Sequence, residues 1–364
     1  MLKKLLSVVC CGIALFSASG TLSGNKAVIN AAEYSAPYSA EIVMEVNTGR
    51  VVYASNEHTK KYMASTTKIL TAITVIENCD LAAKVTVGKE TVGVEGSSIY
   101  LEAGEELTVE ELLYGLMLRS GNDAAETLAV FTSGSIENFA ALMNETASRI
   151  GAVNSHFVNP HGLHNDEHYT TAYDLALITC HAMKNEKFRE IAGAKTKDIS
   201  WSTREYKRHL VNKNKLLFNL EGCTGVKTGF TKKAGRCLVS SCKRGDTEFV
   251  CVVLNCPPMF ERSAALLENA LEIYKNIKVL ESDNIYDFID VAGTDEKCGV
   301  YIKNDVILPL TVAEAENLKI VNAYPDKLEA PFKKDEEIGF IEFYCQNNLI
   351  FREKVYTIIG MEKN

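Results

Sequence analysis

The sequence predicts an α/β chain of the α+β kind: an antiparallel sheet flanked by helices and carrying a helical subdomain, followed by a small all-β domain. Three observations predict it. Two blocks of β-rich segments are separated by a long stretch of helical periodicity, and beyond about Val279 only short strands with turn residues between them remain. With 364 residues, the chain has room for two such units.

The first β block is Ala40 to Val46 and Val51 to Ala54, a hairpin around the turn Asn47-Thr48-Gly49. Lys68 to Glu77 then carries Ile69, Leu70, Ile73, Val75 and Ile76, too apolar for a surface helix and suited to a domain centre. Helical patterns continue at Glu110 to Leu118, Ala124 to Val130, Ile136 to Ile150 and Thr171 to Met183. The second β block is Gly225 to Phe230, Arg236 to Ser241 and Glu248 to Asn255, separated by Gly-containing turns and expected to complete the sheet. Ala264 to Lys275 closes the unit as an amphipathic helix with Leu266, Leu267, Ala270, Leu271 and Tyr274 on one face. Tyr286 to Val291, Gly299 to Ile302 and Ile338 to Tyr344 are strands of the all-β domain.

Met1-Leu2-Lys3-Lys4 followed by the apolar run Leu5 to Phe16 reads as an export signal, since the run is shorter than the ~20 residues that a membrane span needs; an uncleaved anchor is the alternative. Small residues place cleavage either after Ser19 or near Ala31-Ala32. The expected division is 1–32 signal peptide, 33–277 main domain and 278–364 small β domain, with the main body outside the cytoplasm. The terminal Glu362-Lys363-Asn364 has no amphipathic or apolar anchor pattern. A net charge of -8 argues against a nucleic-acid partner, because phosphate binding needs a basic surface. Of 11 cysteines, Cys10 and Cys11 fall in the signal; the other nine cannot all pair and contain no Cys-x-x-Cys. Cys237 and Cys251 sit among apolar residues as small buried hydrophobes, and unpaired thiols suit a reducing setting.

A serine hydroxyl needs a neighbouring base to become a nucleophile. In Ser65-Thr66-Thr67-Lys68 the two functional groups are three apart, on one face if a helix begins here. A lysine buried against apolar neighbours and near another cation gives up its proton more easily. The same spelling recurs at Ser240-Ser241-Cys242-Lys243, on a strand, where the side chains would not meet. What singles out Ser65 is order: Ser120-Gly121-Asn122 follows the helix ending at Leu118, and Lys227-Thr228-Gly229 lies on a strand beyond it. Ser23-Gly24-Asn25 and Ser282-Asp283-Asn284 lie on the wrong sides of this set.

Ser-x-x-Lys, Ser-x-Asn and Lys-Thr-Gly in this order form the signature shared by penicillin-binding proteins and serine β-lactamases. With Asn159-Pro160-His161-Gly162-Leu163 and His168 to Asp174, the stretch from Ala40 to Tyr274 resembles the low-molecular-mass D-alanyl-D-alanine carboxypeptidases, peptidase family S11. The all-β segment resembles that family's C-terminal domain more loosely. The resemblance implies a penicillin-binding/β-lactamase-like main domain and a serine carboxypeptidase acting on peptidoglycan stem peptides that end in D-Ala-D-Ala, with β-lactams as covalent inhibitors. It implies that Lys68 takes the proton of Ser65, that the backbone N–H groups of Ser65 and Phe230 form the oxyanion hole, and that Ser120 passes a proton to the leaving D-alanine. Asn122 would hold the substrate amide, Lys227 and Thr228 the terminal carboxylate, and Gly229 belongs to the same substrate-binding set. Asp174 is either a supporting residue behind the site or a helix-start acid.

His161, His164, Asp166 and His168 cluster in sequence, but their spacing fits no zinc-binding helix and the family needs no metal or other cofactor, so they are expected to be loop hydrogen-bonders. Two rivals remain. A class A β-lactamase would carry Glu-x-x-Leu-Asn between Ser120 and Lys227, and no such string occurs there. A catalytically idle penicillin- or peptidoglycan-binding module is the rival from outside the enzymes.

Overall fold

The computed structural model describes residues 39–282 and 284–362. The expected signal peptide with its two cleavage points, Cys10, Cys11, Ser23-Gly24-Asn25 and Asp283 lie outside the described residues. The hairpin is β1 (Ala40–Glu45) and β2 (Val51–Ser55). Its turn is organised by the Glu45 carboxylate, which accepts from the amides of Asn47 and Thr48 and from the Thr48 hydroxyl at 2.7 to 3.0 Å.

A 3-10 turn, Ala64–Thr67, leads into α1 (Lys68–Asn78), of which every residue from Lys68 to Val75 is buried. The short strands β3 (Lys84–Thr86) and β4 (Glu106–Thr108) pair with each other. Then come α2 (Val109–Leu118), opened by a Thr108–Glu111 capping box, and α3 (Asn122–Ser133). The helices α4 (Ile136–Ile150) and α5 (Ala172–Met183) are capped by the side chains of Ser135 and Thr171. Besides β3 and β4, four short elements of the main unit escaped the sequence reading: α6 (Glu186–Gly193), the paired strands β5 (Thr196–Ile199) and β6 (Arg208–Val211), and α7 (Leu216–Asn219). The main unit ends with β7 (Cys223–Thr231), β8 (Gly235–Arg244), β9 (Thr247–Leu254) and α8 (Met259–Ile273).

The sheet has the order β2-β1-β9-β8-β7 and is antiparallel throughout, so the late strands complete the sheet begun by the hairpin. In β9, Val250, Val252 and Leu254 join the core shared with the helices, while Phe249, Cys251 and Val253 face the core under α8. That two-residue alternation puts an apolar layer on each face. Helix α8 starts five residues before the expected Ala264. Its first turn is hidden from a periodicity reading because Arg262 and Ser263 are polar yet buried, Arg262 against the Glu41 carboxylate at 2.7 Å. The nine described cysteines are free thiols, seven of them buried.

The C-terminal unit contains β10 (Lys275–Leu280), β11 (Asp287–Val291), β12 (Lys297–Tyr301), β13 (Val306–Leu310), a single-turn helix α9 (Val312–Glu316), β14 (Lys319–Ala323), β15 (Lys327–Leu328), β16 (Glu337–Cys345) and β17 (Asn348–Thr357). Six of its strands form one sheet, β14-β16-β17-β12-β11-β15, and β10 pairs with β13. The expected boundary at 277/278 falls inside β10, which pairs as a strand with β13 of this unit, while its Asn276 also donates to Thr247 and Asp246 of the main unit. We propose Tyr274, between α8 and β10, as the division. Arg50 of the hairpin crosses it, donating to Pro309 O and pairing with Glu314.

Candidate active site

Ser65 sits on the 3-10 turn and not in the α-helix itself, and residues three apart eclipse in a 3-10 turn. Its hydroxyl therefore lies 3.2 Å from Lys68 Nζ at the start of α1. The turn is strained: Ala64, just before Ser65, has φ of 49°. Two glycines make room for it. A Cβ on Gly162 would fall 1.9 Å from Ala64 O, and one on Gly229 would stand 3.0 Å from Met63 O and 3.1 Å from the amides of Ser65 and Thr66.

Lys68 is fully buried and makes three contacts: Ser65 Oγ at 3.2 Å, Asn122 Oδ1 at 2.7 Å and the His161 carbonyl at 2.7 Å. Burial holds its ammonium well below the usual lysine range, the charges of Lys227 and Lys213 push the same way, and Asp123 opposes them. Lys227 is also buried, its Nζ donating to Thr228 O, and burial with the nearby Lys213 brings it down to about 7. Ser120 occupies a left-handed backbone at φ 63°, and its buried Oγ has no hydrogen-bond partner among the described residues. Such a hydroxyl keeps both its donor and its acceptor capacity.

Ser65, Ser120, Thr228, Gly229 and Phe230 line one cleft of about 350 Å³, with Lys213 and Arg236 on its wall. Strand β7, which carries Lys227 to Phe230, is the free edge of the sheet. Asn122 Oδ1 accepts from Lys68 and one N–H of Nδ2 donates to Glu95 O, leaving the second lone pair of Oδ1 and the other N–H of Nδ2 for a substrate amide. Asp174 stays away from the cleft. From the first turn of α5 its carboxylate accepts from the Asn154 amide and the Ser155 hydroxyl of the preceding loop. Ser240 and Ser241 are buried in β8 while Lys243 is exposed, so the repeated Ser-x-x-Lys spelling brings no groups together.

The histidines behave as hydrogen-bonders, but two of them are not bystanders. The loop Asn159 to Leu163 lies along α1, where Pro160 O accepts from Thr71 and His161 O from Lys68. His168 Nδ1 accepts from the Val158 amide, so Nε2 carries the proton and donates to Thr67 Oγ1 at 2.8 Å, bracing the nucleophile turn. Burial keeps both rings neutral, pushing each down to about 3. His164 and Asp166 pair with each other at the surface. Sequence reasoning missed the His161 carbonyl and Lys213. The first is a main-chain atom 93 residues from its partner, and the second is a lysine outside every motif.

Comparison with known proteins follows the same lines. A family model described as D-alanyl-D-alanine carboxypeptidase matches residues 23–257, and one for the C-terminal domain of penicillin-binding protein 5 matches residues 274–362. The chain is 31% identical to D-alanyl-D-alanine carboxypeptidase DacF of Bacillus subtilis, covering 100% of this chain and 95% of that protein. It is 30% identical to DacC of Escherichia coli, over 89% of this chain and 84% of the relative. Penicillin-binding protein 5 from Haemophilus influenzae superposes with a TM-score of 0.79 at 25% identity, covering 89% of this chain and 97% of that one. Family models that account for both units and a full-length relative leave one conclusion: this chain belongs to the peptidase S11 family of D-alanyl-D-alanine carboxypeptidases.

Proposed function

We propose that the protein is a serine D-alanyl-D-alanine carboxypeptidase that removes the terminal D-alanine of peptidoglycan stem peptides through an acyl-enzyme on Ser65, and that β-lactams acylate the same hydroxyl. The observation that carries the assignment of Ser65 is the set of partners around Lys68. Asn122 Oδ1 and the His161 carbonyl only accept hydrogen bonds, and each lies 2.7 Å from Nζ. A neutral lysine has two N–H donors and one lone pair. With both hydrogens committed to those oxygens, the lone pair faces Ser65 Oγ, which alone among the three partners has a proton to give.

The reaction then proceeds as follows. A peptide adds to the free edge of β7 as an extra strand, with its terminal carboxylate at Lys227 and Thr228 and its scissile carbonyl at the amides of Ser65 and Phe230. Ser65 gives its proton to Lys68 and forms an ester with the penultimate D-alanine. The C–N bond breaks, and Ser120, whose hydroxyl is otherwise unpartnered, relays a proton to the leaving amine. Water hydrolyses the ester and restores Ser65. Gly229 serves by its lack of a side chain. The part of 1–32 is that of an export signal, in keeping with a substrate in the cell wall. No described helix is long and apolar enough to cross a membrane.

The test is release of D-alanine from a pentapeptide ending in D-Ala-D-Ala by wild type and by Ser65→Ala, with EDTA present and absent. Release by wild type alone, insensitive to EDTA, is the expected result; release by Ser65→Ala would sink the assignment. A chromogenic β-lactam should label the protein slowly and near-stoichiometrically, whereas rapid turnover would point to a β-lactamase.

A further inference from the structure

We infer that a second cavity beside the cleft, walled by Lys60, Tyr62, Tyr169 and Lys233, is a subsite for a carboxylate on the acyl side of the peptide, two or three residues before the penultimate D-alanine. The inference rests on the proposed function and extends it to substrate choice. The cavity has a volume of about 480 Å³, within the range of small-ligand sites. Its position follows from the order of roles along β7. If the terminal carboxylate is held at Lys227 and Thr228 and the scissile carbonyl at the Phe230 amide, the rest of an extended peptide must continue past Thr231. There the chain turns through 232–234, and Lys233 and Ala234 form one wall of the cavity. Each peptide residue advances about 3.3 Å along an edge strand, so three residues bring the substrate roughly 10 Å upstream of its reacting carbonyl, beyond the end of β7 on the side of the 232–234 turn. The opposite wall is fixed to the nucleophile from the other side, because Tyr62 is three residues before Ser65 in the same segment.

The lining favours an anion. Lys60 Nζ stands over the Tyr169 ring, 4.0 Å from its centroid, and neither Lys60 nor Lys233 pairs with a carboxylate among the described residues. Lys61 also borders the cavity. The one acid in the wall, Asp166, is already engaged by the Tyr62 hydroxyl at 3.1 Å and by His164 Nε2 at 3.3 Å. The tyrosine rings give the peptide's apolar parts a surface, and the Lys60 ammonium lies over one of them. Nothing in the deacylation chemistry uses these residues. They act on which peptide is bound and not on how its bond is broken.

The experiment compares two synthetic pentapeptides ending in D-Ala-D-Ala that differ in one upstream side group, a free carboxylate in one and its amide in the other. In wild type, kcat/KM should favour the acid by about fivefold at low ionic strength, carried by KM and shrinking as salt is added, as befits exposed charges. In Lys60→Glu with Lys233→Glu the acid-to-amide ratio should fall to one or below, and in Asp166→Asn it should rise. Because each ratio is taken within one protein, a general loss of activity in a variant does not alter it. Anisotropy of the same two peptides, labelled and bound to Ser65→Ala, reads the preference without turnover. Equal kcat/KM and equal binding of the two peptides in wild type overturn the subsite, as does a preference that survives the double charge reversal. Failure of the function itself looks different: neither peptide releases D-alanine, and the subsite then falls with it.

Discussion

Gly229 and Ser65 touch through their backbones: a Cβ on the glycine would stand 3.1 Å from the serine amide nitrogen. This contact sets the edge strand against the turn that carries Ser65, and on the proposed mechanism it brings the Ser65 and Phe230 amides to one substrate carbonyl. Gly229→Ala must therefore move β7 and the turn apart by a few tenths of an ångström. Acylation by a fluorescent penicillin should slow by about tenfold to a hundredfold, because oxyanion donors act only at short range. Thermal stability should change little. An unchanged acylation rate would show that the two amides do not share one substrate oxygen.

Gly162 meets the same turn from behind, at greater cost. Its φ is +86°, and an added Cβ would overlap the Ala64 carbonyl at 1.9 Å. Gly162→Ala should destabilise the protein by about 1 to 3 kcal/mol, as overpacking does, and also slow acylation, because the loop that carries the His161 carbonyl must retreat from Lys68. Urea unfolding and acylation rate measured on the same sample check both halves. A stable variant with normal acylation would refute the account of this loop.

These two contacts show where a sequence can and cannot be read. The helix beginning at Lys68 and the strands carrying Lys227 and Cys251 were legible, because apolar periodicity within ten residues determines which face is buried. The order of the three motifs then selected Ser65 over Ser240. What holds Lys68 was not legible: its partners lie 54 and 93 residues away, and one is a carbonyl that every residue possesses. The short elements α6, β5 and β6 escaped for another reason. Eight residues, or two strands of four with half their side chains exposed, offer too little pattern to separate from a loop.

Arg50 and Glu314 join the two units at 2.5 Å, with side chains 8% and 18% exposed. Glu314 also completes the capping box of α9 with Thr311. Glu314→Ala removes both at once and leaves the Arg50 guanidinium with the Pro309 carbonyl and the face of the Tyr274 ring. A loss of about 1 to 2 kcal/mol is expected, the pair being only partly screened by water and the cap adding its share. Ser65 acylation should be unaffected, since Glu314 has no place in the cleft. Thermal unfolding and limited proteolysis near Tyr274 measure the effect, and a drop in acylation rate with intact stability would contradict it.

The pH profile follows from two lysines required in opposite states. Lys68 must be neutral to take the Ser65 proton, so activity rises as pH passes through its strongly lowered value. Lys227 must be charged to hold the terminal carboxylate, so kcat/KM falls as pH passes about 7 in the free enzyme. A bound carboxylate favours the ammonium, and the corresponding fall in kcat should lie at higher pH. Lys227→Arg keeps a cation at every working pH and should move the alkaline fall in kcat/KM upward by more than about two pH units, even though the bulkier guanidinium lowers the plateau. The same residue leaves a mark on stability. Between pH 7 and 10.5 the unfolded chain keeps a proton on Lys227 that the folded chain has lost, so the unfolded state binds more protons and stability rises with pH across this window. Lys227→Met should flatten that rise in pH-dependent urea midpoints, and a variant as pH-dependent as wild type would assign the alkaline limb to another group.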